Sequence, residues 1–589
     1  MLSAAPAMTD SRPHRLKSPS ALFILAAAVL VLAVSGCADT DGGSGGDGGM
    51  GGTGASAGAG GTAGEDGAGG RAGTGGDAGA GGEAGAGGEA GRGGQGGADA
   101  ARSELVFVQD DNLYASVEGQ PGEVRVLSEG YVYPDWIQSL TVSPDGMYVA
   151  YFFEDRTSES FHEQMTKVVR VDGQGETVVA NLPLVDPFAG DLYRASGWYE
   201  WHPTGEWLAY TAAEGPLGGP PGGIRLVRPD GSERHTKSVP GSGVILDGSI
   251  WNADGTRLAY VEDGQENEND TVRTNTTVGD NHARIDETGI VYHFHYAWSP
   301  DGTELLYKTN IGLYVAAADG SNRRTVAEGY VLRGAWSPDG ERVAFTLSET
   351  FGGNAELYTS RPDGTDRLKI NGPLMGSSSP DFYWSPDGAR IAYIAKEERA
   401  LYFDMYVSLA DGSEHRRVNP LLGDGDSVRW ASVPPWSPHG SQISYQVRNA
   451  DAEVMDLYVS AADGSTNDRL NTPGMMTGTR WLVPWNRDGT RLLYTERAGD
   501  DGNPELWTNA ADGSDPRKLN GPLPTDGSVF RYAWSPDGTQ VAFTASGESA
   551  FDFVLFKCAA DGSGLARIST PGMVADYQHF AWVPEPPAR

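Results

Sequence analysis

Between residues 142 and 582, short apolar runs recur at regular spacing, separated by polar turns of nearly constant wording. Each unit opens on an aromatic or apolar residue, continues through Ser-Pro-Asp-Gly or a near variant, and then gives an apolar triplet that ends in Tyr or Phe. The cleanest copies begin at Trp298, Trp336, Trp384 and Trp534; looser ones begin at Trp201, Trp251, Trp436 and Trp485, and the first, at Val142, lacks the Trp. Triplets such as Val149-Ala150-Tyr151, Val343-Ala344-Phe345 and Ile391-Ala392-Tyr393 are too short for helices and are bounded by Gly and Pro, which predicts strands. A second phrase alternates with the first: an apolar-aromatic pair followed by Asp-Gly, as in Leu313-Tyr314 with Asp319-Gly320 and Leu506-Trp507 with Asp512-Gly513. Each unit therefore predicts four strands in about 49 residues, the length of a propeller blade. A four-stranded sheet has two faces to bury, so such blades stack radially around a channel. The fold class is an all-β propeller.

The repeated turn has a physical explanation that needs no catalysis. Pro presets φ in a tight turn, Asp accepts from nearby backbone N–H groups, and Gly takes the conformation other residues resist. The Trp is expected to wedge between blades, contributing about 2 to 3 kcal/mol if buried. These repeats resemble those of TolB-like, or WD40-like PD40, propellers, over residues 101–589. The resemblance implies the propeller fold and no particular activity. Peptidase relatives carry a hydrolase domain beside the propeller; none is expected here, since seven residues follow Trp582.

Residues 105–108, 113–116 and 124–127 look like the outer three strands of a blade, and 580–583 like a missing innermost one. Joined, they give a composite blade and about ten units in all. Ten exceeds the usual four to eight, so two tandem rings, or a degenerate blade near residues 261–297, stay open from the sequence.

The N-terminal region changes the picture of location. Arg12, Arg15 and Lys17 precede an apolar stretch from Ala21 to Val34, too short for a comfortable membrane span, which ends in Ser35-Gly36-Cys37. This resembles the lipobox of bacterial lipoproteins. The resemblance implies a signal peptide with its lipobox over residues 1–37, cleavage before Cys37, lipidation of Cys37 as the mature N-terminus, and, with Ala38 next, transfer to the outer membrane, on its periplasmic side or at the cell surface. Residues 38–100 are dominated by Gly and Ala and predict a flexible tether with a reach of about 45 Å. Only Cys37 and Cys558 exist, so a lipidated Cys37 leaves no intramolecular disulfide. The formal charge of -35 argues against nucleic acid. A monomer is expected, anchored to the membrane through its lipid.

Antiparallel connectivity places both kinds of Asp-Gly turn on one face and the long connections on the other: residues 152–167, 181–197, 211–223, 262–289, 419–435 and 471–484. Variable loops on a rigid scaffold are where binding usually resides. The expected function is non-enzymatic binding of an envelope protein or a glycan through this loop face and the channel mouth. Its candidate anchors are Trp136, Trp198, Trp430 and Trp481, with Arg333, Arg429 and Arg480, because Trp and Arg often dominate recognition energy. Packing of the Trp residues inside the loops is the alternative. No cofactor is expected beyond a candidate site for a divalent metal: His293 and His295, two apart in an expected inner strand, with His282, Asp286 and Glu287 just before them. Some polysaccharide-cleaving propellers resemble this in carrying a metal near the channel, which makes a metal-assisted lyase or another glycan-active enzyme the second hypothesis. The acidic run from Glu262 to Glu266 is expected to be a solvated insertion. No catalytic motif is present.

Overall fold

The computed structural model consists of ten four-stranded antiparallel sheets, and the nine apolar triplets become the second strands of nine of them. The structure describes residues 103–585 apart from 111, 121–122, 129–135, 156–162, 184–197, 212–222, 239–242, 246–249, 264–270, 287–295, 351–352, 376–378, 433, 451–453, 478–482, 499–501, 551 and 572–574. Blades 1 to 9 follow in chain order over 136–183, 199–236, 243–284, 296–328, 330–369, 381–417, 427–469, 476–518 and 529–567. Blade 10 is the composite one. Ser103–Gln109, Asn112–Val117 and Val124–Ser128 supply three strands, and Ala575–Trp582 supplies the innermost, with Leu105 opposite Trp582 and Phe107 opposite Phe580.

Ten hydrophobic clusters hold the sheets together, and each joins two consecutive blades. Ala150 and Val168 of blade 1 meet Trp201 and Leu208 of blade 2; Ala392 and Met405 of blade 6 meet Val428 and Tyr445 of blade 7. The series closes on itself, because Leu555 and Ile568 of blade 9 meet Phe107 and Phe580 of blade 10, and Val106 and Leu113 of blade 10 meet Val149 and Tyr151 of blade 1. That cyclic order makes one closed ten-bladed ring and excludes two tandem rings. The candidate degenerate blade is also regular: Arg257–Asp263, Thr271–Thr276 and Ala283–Arg284 pair as its second, third and fourth strands.

The motif Trp residues do more than fill space. Eight donate their indole N–H to a main-chain carbonyl of the preceding blade at 3.0–3.4 Å, as Trp336 does to Ala297, Trp384 to Ala335 and Trp582 to Ala533. These bonds bring neighbouring first strands together, so the Trp-bearing strand is the one nearest the axis. Trp251 differs, meeting His202 edge to face at 4.9 Å.

In the turns, Asp301 accepts from Ser299 Oγ (2.6 Å) and from the Thr303 N–H (3.0 Å), while Ser299 Oγ accepts from the Glu304 N–H (2.9 Å). Gly302 has φ 70°, and a Cβ there would meet the Ala253 nitrogen at 3.2 Å. Hydroxyl hydrogen bonds hold several of these carboxyls below their ordinary range: Ser299 at Asp301, Ser321 at Asp319, Thr365 at Asp363, Ser413 at Asp411, Ser514 at Asp512 and Ser563 at Asp561. A depressed folded-state pKa contributes stability above the unfolded value of about 3.9 and loses it as pH falls through the folded value. The melting temperature is therefore expected to fall progressively on acidification below about pH 4. Melts followed by circular dichroism from neutral pH downward check this, and a melting temperature unchanged to pH 3 would contradict it.

Candidate binding face

Sequence reasoning placed the anchors on the loop face and at the channel mouth, with Arg429, Trp430, Arg480 and Trp481 inside long connections, and the structure corrects part of this. Arg429 and Trp430 lie not in a loop over 419–435 but on Ser427–Trp430, the innermost strand of blade 7. Ser427 to Trp430 pair with Arg448 to Tyr445; the chain then leaves the ladder through Pro434 and Pro435, which lack ladder donors, and returns as a bridge between Trp436 and Ile443. The stretch 471–484 likewise contains the strand Met476–Thr477, and 262–289 contains two strands of blade 3. Glu262 is no solvated insertion: it is nearly buried and pairs with Arg273 on the adjacent strand. Trp136 opens the inner strand Trp136–Val142 of blade 1. Trp198 is partly buried against the cluster between blades 2 and 3. Arg333 lies on Tyr330–Trp336, the inner strand of blade 5. Trp481, Arg480, His293, His295 and Glu287 lie outside the described residues, as does Cys37.

Two of the anchors meet through a residue that sequence reasoning missed. Asp381, first on the inner strand Asp381–Trp384 of blade 6, pairs through Oδ1 with the Arg333 guanidinium and accepts the Trp430 indole N–H through Oδ2 at 2.9 Å. Arg333 also lies over the Tyr383 ring at 4.6 Å, and Trp430 meets the same ring edge to face at 5.1 Å. Burial pushes the Tyr383 phenol above its usual range. Trp430 is only 6% exposed, so it buttresses Asp381 from within, whereas Arg429, next on the alternating strand, is exposed. The cluster ties the inner strands of blades 5, 6 and 7 together and leaves a partly exposed ion pair beside the axis.

The face formed by the second-to-third and fourth-to-first connections carries a different feature. Among the described residues, six exposed large apolar side chains lie on it: Ile311, Tyr330, Leu332, Met375, Leu401 and Leu421. All six fall on or between blades 4, 5, 6 and 7. Among the described residues, the opposite face shows Met147, Val278 and Leu565, on turns of blades 1, 3 and 9.

Buried polar anchors hold the connections that carry this patch. Arg399 donates to both oxygens of the buried Asp404 (2.9 Å each), to the Gly423 carbonyl (3.1 Å) and to the Asp426 carbonyl (2.9 Å), joining the Leu401 connection to the Leu421 connection. Glu397 accepts from the Gly372 N–H and the Tyr393 hydroxyl (2.8 Å each) and pairs with His415 at 2.9 Å. The Met375 N–H in turn donates to the Lys396 carbonyl at 2.6 Å. A surface held in this way presents its apolar tips without a large ordering cost on binding.

Other chemistry is sparse among the described residues, where no group of three or more His, Cys, Asp or Glu side chains is arranged to hold a metal ion. His282 sits in a turn of the opposite face, 3.4 Å from the Tyr260 hydroxyl and 3.3 Å from the Asn275 amide, while Asp286 is buried and 3.8 Å from Arg323. Cys558 lies in the core between blades 8 and 9, its thiol pushed up to about 12 by burial, which suits a packing role and not a nucleophile. No helix of the described residues is long and apolar enough to cross a membrane.

No protein-family model and no curated protein matches the sequence. Solved structures do resemble the ring. A eukaryotic initiation factor is 11% identical with a TM-score of 0.47, covering 83% of this chain and 100% of its own. An oligogalacturonate lyase from Vibrio parahaemolyticus is 13% identical with a TM-score of 0.33, covering 62% and 96%. A putative TolB from Agrobacterium tumefaciens is 19% identical with a TM-score of 0.25, covering 45% and 94%.

Proposed function

We propose that this protein is a non-enzymatic binding protein of the bacterial envelope, lipid-anchored at Cys37, which recognises its partner through the loop face and the neighbouring channel mouth. The observation that carries this reading is the asymmetry of the ring. Hydrogen-bonded Asp turns occupy one face, whereas the other carries the exposed apolar tips on connections pinned by Arg399 and Glu397. Exposed apolar patches on soluble proteins commonly mark interaction sites. Arg333, Asp381 and Arg429 place polar groups on the inner strands beside that patch, the usual complement to an apolar core of an interface.

Passing a bacterial envelope extract over the immobilised protein tests the reading. Saturable retention of a partner is expected, and Leu401→Asp with Leu421→Asp should reduce it by about tenfold or more. Retention that survives both substitutions, or release of shortened glycan into the flow-through, would count against a binding function at this face.

A further inference from the structure

We infer that the apolar patch over blades 4 to 6 docks a protein segment that carries aliphatic side chains beside lysines or arginines. The inference rests on the loop face being the binding face and adds the chemistry of the partner. Five of the six exposed tips are aliphatic or Met, with Tyr330 the exception. Sugars are gripped by aromatic platforms and planar polar groups, whereas Leu, Ile and Met surfaces match apolar side chains, so the composition favours a protein over a glycan.

Charge specifies the flanks. Several cations of this sector are already engaged within the ring: Arg333 by Asp381, Arg399 by Asp404 and Arg417 by Glu398, while Lys308 donates to the Leu332 carbonyl at 3.2 Å. Lys396 lies over the Phe403 ring. Exposed carboxylates remain around the patch, namely Glu328 at the end of the fourth strand of blade 4, Glu349 just after the second strand of blade 5, and Asp424 three residues from Leu421. Exposed Arg429 and Arg448 stand beside it on blade 7, so the acidic flank is that of blades 4 to 6. A basic partner is also steered toward a chain of charge -35, while an acidic one is repelled.

Calorimetric titration of the full chain with three designed amphipathic peptides tests this. One has a leucine face and a lysine face, one replaces leucine by serine, and one replaces lysine by glutamate. Saturable binding of the leucine-lysine peptide is expected, with the other two weaker by about tenfold or more. Met375→Ser with Leu401→Ser and Leu421→Ser should weaken it by about tenfold or more, whereas Met147→Ser with Val278→Ser and Leu565→Ser, on the opposite face, should leave it unchanged. All six positions are exposed, and matching circular dichroism melts verify the fold of both variants. Equal binding of the serine-lysine peptide, or of the loop-face variant, would overturn the proposal. Loss of this result alongside a retained envelope partner that Leu401→Asp still disrupts would remove the basic-apolar chemistry while leaving the binding face standing.

Discussion

Replacing Trp436 by Ala is expected to destabilise the ring by about 3 to 5 kcal/mol, the range for truncating a large buried aromatic. Trp436 is 3% exposed in the cluster between blades 6 and 7, and its indole N–H donates to the Tyr383 carbonyl at 3.1 Å. The change removes packing from a blade interface and leaves a carbonyl of the neighbouring inner strand without its partner. Trp436→Phe keeps most of the volume and loses chiefly the hydrogen bond, so its cost should be nearer 1 kcal/mol. Denaturant unfolding monitored by circular dichroism compares the two. Equal midpoints for Trp436→Ala and the unmodified protein would show that the wedge contributes little.

Removing residues 575–589 is expected to have a still larger effect, because it takes away the strand that closes the ring. Ala575–Trp582 pairs with Ser103–Gln109, and the Val583 N–H donates to the Glu104 carbonyl at 2.9 Å. Glu104 also pairs with Lys557 of blade 9, and Gln109 Oε1 accepts the Thr570 N–H at 2.9 Å. Without the closing strand, Ser103–Gln109 becomes an open edge and the cluster around Phe107 and Leu555 loses Phe580. Unpaired edges of this kind template association. The truncated chain should lose cooperative unfolding and form oligomers visible by light scattering; a monomer that melts like the intact protein would contradict the closure.

Much of this architecture is legible in the residues because the phrase from Trp through Ser-Pro-Asp-Gly to the apolar triplet sets two strands and the turn between them. The composite blade was also readable, since Phe580 to Val583 supply one strand and residues 105–127 the other three. What escaped were strands without the phrase. Thr271–Thr276 lacks the apolar-aromatic pair of its equivalents, and Ser427–Trp430 is cut off from Trp436 by a proline pair, so both were taken up into loops. Asp381 was missed although its spacing carried a signal. Arg333 and Asp381 are separated by 48 residues and hold equivalent positions of successive blades, opposite Thr346 and Ile394, and Trp430 follows 49 residues later, so residues about one repeat apart meet beside the axis. The exposed tips were harder to find, because Leu401 and Leu421 differ from core leucines only in which part of the ring surrounds them.

Binding at the loop face is the central claim, and hydrogen exchange tests it most directly. Exchange of the full chain with and without a saturating retained partner should show new protection in 309–312, 328–332, 370–380, 396–403 and 419–426 and none in the Asp turns of the opposite face. Protection confined to those turns, or to the outer strands, would contradict the account.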